Sequence, residues 1–252
     1  MARQMGKLHA TTMGKELQFE RLCGDLSLAR VSSRFQEAER WLKDCHKVED
    51  WCRELSYRPP AGFEQACKRI AETFAHPGAF LALTHGDPVP TNNQLCGSTI
   101  YLLDFEYGGY RHALYDLTGW NILCPLPKAC VALMSNHLRT ALLPACPAAE
   151  DDEIYQAEWA MLCTYRAIAM LSWMSLRLIK HNRPWADNWS RREAMVVALS
   201  RWEEATRGVK GLEVMTEVAA QLLRRCQTLW PDIEAESNPA WPVFLQTSFP
   251  QS

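Results

Sequence analysis

Two short apolar runs, Phe-Leu-Ala-Leu at 80–83 and Ile-Tyr-Leu-Leu at 100–103, sit between two long stretches of helical character. Runs of this length bounded by turn residues read as buried strands, and Gly97-Ser98 is the predicted turn before the second. Each run empties into acidic residues: Asp87 comes shortly after the first, and Asp104 and Glu106 follow the second. Strand ends that deliver carboxylates into loops place reactive groups on a rigid scaffold. A chain that must seat these strands among helices is expected to be α+β, mainly α, a helical bundle with a small β element in its middle.

The flanking regions supply the helices. Ser33 followed by Gln36 predicts a capping box that opens a helix over residues 35–55. Phe63, Ala66, Cys67, Ile70, Ala71 and Phe74 recur at the spacing of one apolar stripe, which predicts a second helix. Pro59-Pro60 separates these two helices and Pro77-Gly78 ends the second. Residues 115–230 read as helical again. The segment 153–180 is nearly apolar all round, as a helix central to a bundle would be. The last stretch, 231–252, carries four prolines and reads as a tail. At 252 residues the chain holds one to two domains at roughly 150 residues each. The division expected is a main domain over 1–230 and the tail.

Charge and cysteines narrow the function classes. Lys and Arg total 27 and Asp and Glu 29, a net charge of −2 that argues against a general nucleic-acid binder. The ten cysteines include no C-x-x-C pair and no Cys/His cluster at zinc spacing, so most read as small buried hydrophobes in a reducing compartment. The first residues lack the apolar core of a signal peptide, which predicts a cytoplasmic chain. The longest apolar run, 159–179, is interrupted by Arg166 and Arg177 and predicts a buried helix in preference to a membrane span.

The chemistry concentrates in His85-Gly86-Asp87-Pro88-Val89-Pro90-Thr91-Asn92 and in Leu103-Asp104-Phe105-Glu106. Asp87 and Asn92 stand five residues apart, the spacing of a kinase-type catalytic loop, and Asp104 follows 17 residues after Asp87. Phosphoryl transfer needs these residue types. A carboxylate such as Asp87 orients an acceptor hydroxyl and takes its proton. Magnesium, a hard ion, prefers oxygen ligands of the kind Asn92 and Asp104 offer. The remaining catalysis is position and charge.

HGDPVPTN and LLDFEYGGYRHALYDL resemble the catalytic and metal-binding segments of the aminoglycoside phosphotransferase and choline kinase superfamily, which has a protein-kinase-like fold. DFEY-G-Y and YDL resemble the choline/ethanolamine kinase branch in particular, and GKLHATT resembles the helix that opens the C-terminal lobe. The likeness spans at least residues 6–120. It implies an ATP- and magnesium-dependent phosphotransferase acting on a small-molecule hydroxyl acceptor, a cationic amino alcohol such as choline or else an aminoglycoside. Asp87 would be the catalytic base, His85 would brace its loop, and Asn92 and Asp104 would hold the metal and with it the nucleotide. Glu106 would assist the metal or the substrate, or stand solvated. Asp116 would tie its helix to the loop by accepting hydrogen bonds. Pro88 departs from the apolar residue usual after the aspartate, stiffening the loop.

Among the aromatic residues, Tyr107, Trp159 and Trp173 are candidates to hold a cationic acceptor by cation–π attraction, with core packing the alternative for each. Arg111 is expected as an exposed charge, with phosphate contact as the other reading. The remaining histidines (His9, His46, His76, His112, His137 and His181) show no metal spacing and are expected in surface or packing roles. The resemblance also implies a nucleotide-clamping N-terminal lobe, whose Gly-rich hairpin and strand lysine have no counterpart among the residues before Asp87. Three readings stay open: a catalytic lobe truncated by gene boundary or start-site choice or completed by another chain, its uncovered apolar surface favouring self-association; a non-catalytic lobe that binds a ligand or partner; and a metal-dependent hydrolase using Asp87, Asp104 and Glu106.

Overall fold

A computed structural model of the chain describes residues 1–25, 34–96, 99–186 and 189–234. The protein is a mainly helical α+β molecule, with ten α-helices and three small two-stranded antiparallel sheets among the described residues. Four helices come first: α1 (Ala2–Thr12), α2 (Glu16–Asp25), α3 (Arg34–Glu54) and α4 (Phe63–Ala75). The strands β1 (Leu81–Thr84), β2 (Asn93–Cys96), β3 (Thr99–Leu102) and β4 (Gly109–His112) form the middle of the chain. Then follow α5 (Tyr115–Ile122), α6 (Lys128–Leu142), α7 (Asp152–Trp173), α8 (Leu176–Ile179), the short strands β5 (Pro184–Ala186) and β6 (Trp189–Ser190), α9 (Arg191–Thr206) and α10 (Glu213–Leu229).

The α4 stripe forms as its spacing predicts: Phe63, Ala66, Cys67, Ile70, Ala71 and Phe74 are all buried. Pro59 and Pro60 lie between α3 and α4, and Pro77 and Gly78 follow α4. Ser33, the expected cap of α3, lies outside the described residues, as do the Gly97-Ser98 turn and most of the 231–252 tail. Helix α7 is buried over most of its length, from Ala160 to Leu171 with one half-exposed position at Met161. It rests on α3, α5 and α9, and α9 rests on α10. Trp41, Trp51 and Trp202 fill this core at 2% exposure or less. Of their three indole N–H groups, Trp51 donates to the Leu171 carbonyl at 3.0 Å and Trp202 to Thr164 Oγ1 at 2.9 Å, while that of Trp41 is buried with no hydrogen-bond partner among the described residues. Six of the cysteines are buried and all described cysteines are free thiols.

Three expectations need correction. The helix predicted over 153–180 is two helices: α7 ends at Trp173, and Ser175 caps α8 by accepting from the Leu178 N–H. A hydroxyl that offers the backbone a local partner favours a new start over continuation. The first apolar run enters the sheet one residue late, because Phe80 belongs to a 3-10 turn whose carbonyl accepts from Ala113. Arg111 is not exposed. It is 4% accessible, ion-paired with Glu37 of α3, and donates to Thr84 Oγ1 at 3.1 Å and to the Tyr107 carbonyl at 2.8 Å. A buried guanidinium is tolerable here because Glu37 neutralises it and three of its five N–H donors are bonded.

Helix α1 crosses α6 closely at Gly6, where an added Cβ would stand 2.6 Å from Ala141 Cβ and 2.9 Å from the Leu138 carbonyl oxygen. The carbonyl is part of a helix backbone and cannot swing aside. Gly6→Val is therefore expected to lower the unfolding free energy by about 2 kcal/mol, read from urea denaturation; an unchanged midpoint would mean that α1 does not sit against α6 in this way.

Candidate active site

Strand pairing builds the site. β1 pairs with β4, Leu81 opposite His112 and Thr84 opposite Gly109. β2 pairs with β3, Asn93 opposite Leu102. The segment 85–92 leaves the first ladder and enters the second, while 103–108 leads back. The Leu103 peptide joins the two: its N–H donates to the Asn92 carbonyl at 2.9 Å, and its carbonyl accepts from His85 Nε2 at 2.7 Å. His85 is wholly buried and its ring lies 4.4 Å from that of Phe105. Since the Leu103 carbonyl can only accept, Nε2 carries the proton, and Nδ1 is free to accept from the Asp87 N–H at 3.3 Å.

Asp87 is half-buried, with its backbone held through His85 and its carbonyl taken by Asn92 Nδ2 at 2.9 Å. The same Nδ2 stands 3.4 Å from Asp87 Oδ2. Asn92 Nδ2 thus faces Asp87, and among the described residues none donates to Asn92 Oδ1. Asp104 follows Leu103 directly, so Asn92 and Asp104 occupy adjoining strand ends. Its carboxylate is exposed, and its backbone has φ of 61°, a left-handed conformation that costs free energy for any residue with a side chain. Glu106 is exposed in the 105–108 turn, closed by a Gly108 N–H to Phe105 carbonyl bond. Tyr107 is exposed beside it, its carbonyl facing inward.

Gly86 makes the approach of the two loops possible. It has φ of 90°, and a Cβ there would stand 2.1 Å from the Tyr107 carbonyl oxygen. Asp116, at the start of α5 and wholly buried, accepts from the His85 N–H at 2.8 Å and the Gly86 N–H at 2.9 Å. His9 Nε2 of α1 lies 3.4 Å from the same carboxylate. Burial works to raise the Asp116 carboxyl, but the bond and charge of His9 and the two backbone donors outweigh it and hold the group below its ordinary value.

Several contributors carry no sequence motif of their own. Thr12 ties α1 to the strands, its hydroxyl accepting from the Leu83 N–H at 3.1 Å and its carbonyl from Tyr110 OH at 2.7 Å. Cys124, just past α5, lies within electrostatic reach of Asp87; burial, reinforced by the Asp87 charge, pushes its thiol up to about 11, so it presents a neutral wall. Arg111 and Arg166 lie over the Tyr115 ring at 5.0 and 3.7 Å from its centroid.

The structure links His85, Asp87 and Asn92 by hydrogen bonds and runs the 103–108 backbone alongside them, with Asp104, Glu106 and Tyr107 exposed on that segment. It does not bring both tryptophans there. Trp159 lines a separate cleft of about 570 Å3 with Asn121, Ser135 and Tyr155, and none of the loop carboxylates lines it. Trp173 stands 14 residues further along α7, about 21 Å at 1.5 Å per residue, so one small molecule cannot touch both. Of the histidines, His112 is buried, stacked on Phe80 and bonded to Glu158 at 2.9 Å, a packing role. In comparisons with known proteins, no family profile and no curated sequence matches the chain.

Magnesium fits this corner in one way only. Among the described residues no group of three or more His, Cys, Asp or Glu converges on a metal position. Asn92 Oδ1 and the Asp104 carboxylate are open oxygens on adjoining backbone, a set suited to an ion that takes one or two protein oxygens and fills the rest with water and substrate phosphate.

Asp116→Ala would leave two loop N–H donors buried without a partner, and a loss of about 2–4 kcal/mol in unfolding free energy is expected. Because the folded carboxyl is held below the ordinary 3.8, its contribution is fully present above that pH and is lost as pH falls through the lower folded value. Urea titrations from pH 7 downward should therefore show the deficit of the variant shrinking only below about pH 4. A deficit independent of pH would contradict the assigned charge.

Proposed function

We propose that this chain is the catalytic part of an ATP- and magnesium-dependent phosphotransferase that acts on a small-molecule hydroxyl, with a cationic amino alcohol of the choline or ethanolamine type as leading acceptor and an aminoglycoside next. The observation that carries the reading is the Asn92 side chain. Its amide nitrogen donates to Asp87 and its oxygen accepts from no described residue, while its backbone adjoins Leu103 and so the exposed Asp104, which would divide the corner into a proton-accepting side and a cation-holding side. The motifs HGDPVPTN and LLDFEYGG supply these residues in the order and spacing of that superfamily.

In this reading Asp87 accepts a hydrogen bond from the acceptor hydroxyl and takes its proton as the new O–P bond forms and the bond from the γ-phosphorus to the bridging oxygen breaks, releasing ADP. Asn92 keeps Asp87 oriented. His85, locked between Leu103 and the Asp87 N–H, fixes where the carboxylate stands. Asn92 Oδ1 and Asp104 would hold the magnesium, which when bound neutralises phosphate charge. Glu106 is close enough in sequence to serve the metal's water or the acceptor. Tyr107 offers an exposed ring to a cationic acceptor. Trp159 and Trp173, about 21 Å apart along α7, do not contact one acceptor together.

A second reading, a lobe that binds a ligand or partner without turnover, is favoured by one observation: the described residues before β1 form helices only, with no strand pair to cover a triphosphate. Under the first reading that cover would come from polypeptide other than the residues described, and the exposed side chains of Tyr101, Leu103, Phe105 and Tyr107 mark where it would seat.

The experiment is transfer of labelled γ-phosphate from ATP to choline, ethanolamine and aminoglycosides by the chain supplied with a kinase-type N-terminal lobe, little transfer being expected from the chain alone. Asp87→Asn is expected to lower turnover by about 10²–10⁴ with little change in stability. Asp104→Asn is expected to raise the magnesium concentration needed for half-maximal rate. Transfer that survives Asp87→Asn would remove the assigned base, and ligand binding without transfer to any acceptor would favour the second reading.

A further inference from the structure

Charge is unevenly distributed along the chain. Residues 174–192 hold five Arg or Lys and one Asp, a net +4 in a chain of net −2, so the remainder carries −6. This segment runs from the end of α7 through α8 to the start of α9. Met174, Leu176 and Ile179 are buried and pin it to the body, while Arg177, Leu178, Lys180, His181 and Arg183 are exposed. Trp173, the last residue of α7, is 51% exposed and Leu178 47%. No acidic side chain pairs with Arg177, Lys180 or Arg183 among the described residues. Lys47 of α3 donates to Ser172 Oγ at 2.9 Å beside Trp173, but Asp44 pairs with it at 3.4 Å, so it adds no free charge to the surface.

The segment is fixed in place. Arg192 donates to the carbonyls of Ile179 at 3.3 Å and Lys180 at 2.8 Å, its N–H donates to Asn182 Oδ1 at 3.2 Å, and the Arg191 N–H donates to the Arg183 carbonyl at 3.0 Å. A stapled loop holds its outward side chains in one arrangement. Unpaired cations flanked by an exposed indole and an exposed leucine match a lipid–water boundary, where cations meet anionic headgroups and Trp sits at headgroup depth. No described helix is long and apolar enough to cross a membrane, so such contact would be peripheral.

We infer that Trp173, Arg177, Leu178, Lys180 and Arg183 form a docking surface for an anionic lipid bilayer. The surface shares no residue with the loop around Asp87, so the inference does not depend on the proposed reaction.

The test is co-sedimentation of the full chain with vesicles of phosphatidylcholine alone and of phosphatidylcholine containing phosphatidylserine. Binding is expected only to the second kind, and raised salt should release it. The combined variant R177Q/K180Q/R183Q is expected to bind about a hundredfold less, at about fivefold per cation. Trp173→Ala and Leu178→Ala, each at an exposed position, should each weaken binding severalfold and serve as independent variants. Equal partitioning to both vesicle types, no binding to either, or undiminished binding by the variants would overturn the inference. Retention of nucleic acid through the same cations without vesicle binding would overturn it too.

Discussion

One buried carboxylate holds the candidate site together. Asp116 has no solvent exposure, and a lone charge there would be prohibitive. It is tolerated because donors from two directions meet it: the backbone N–H groups of His85 and Gly86, and the ring of His9. The carboxylate thereby ties α1, the loop after β1 and α5 to a single point. From there the order passes outward. A fixed His85 ring binds the Leu103 carbonyl, Leu103 binds the Asn92 carbonyl, and Asn92 holds Asp87. Each bond is worth about 1 kcal/mol alone. Their value lies in being sequential, so that His85, Asp87 and Asn92 have little freedom relative to one another.

The local features of this arrangement were legible in the residues. An apolar stripe at helical spacing predicts α4, and two four-residue apolar runs ending in acids predict a small β element with carboxylates at its exits. Those are statements about neighbours in sequence, which periodicity and turn chemistry govern. Arg111 was not legible because its burial is decided by Glu37, 74 positions away. The end of α7 at Trp173 was not legible either, since an apolar run continues through it; the serine two residues on decides the matter by capping the next helix. The same limit applies to Thr12, which reaches β1 and β4 through tertiary contacts alone. Trp159 and Trp173 looked equivalent as aromatic candidates on one segment, and only helical rise shows that they serve different surfaces.

The two ends of the argument sit on different chemistry. The corner around Asp87 is acidic, with Asp104 and Glu106 exposed beside it, and calls for a cation or a cationic acceptor. The segment after α7 is basic and calls for an anionic surface. A net charge near zero conceals both, which is why composition constrains function here less than the placement of charge does.

The central claim is that Asn92 Oδ1 and the Asp104 carboxylate hold one divalent ion together with the phosphates of ATP. It is tested most directly by electron paramagnetic resonance of Mn2+ titrated into the full chain with ATP, for the native sequence and for the double variant Asn92→Ala/Asp104→Ala. The account predicts protein-bound Mn2+ that depends on nucleotide in the first and is lost in the second. Equal binding by both proteins, or none by the native chain with ATP present, would contradict it.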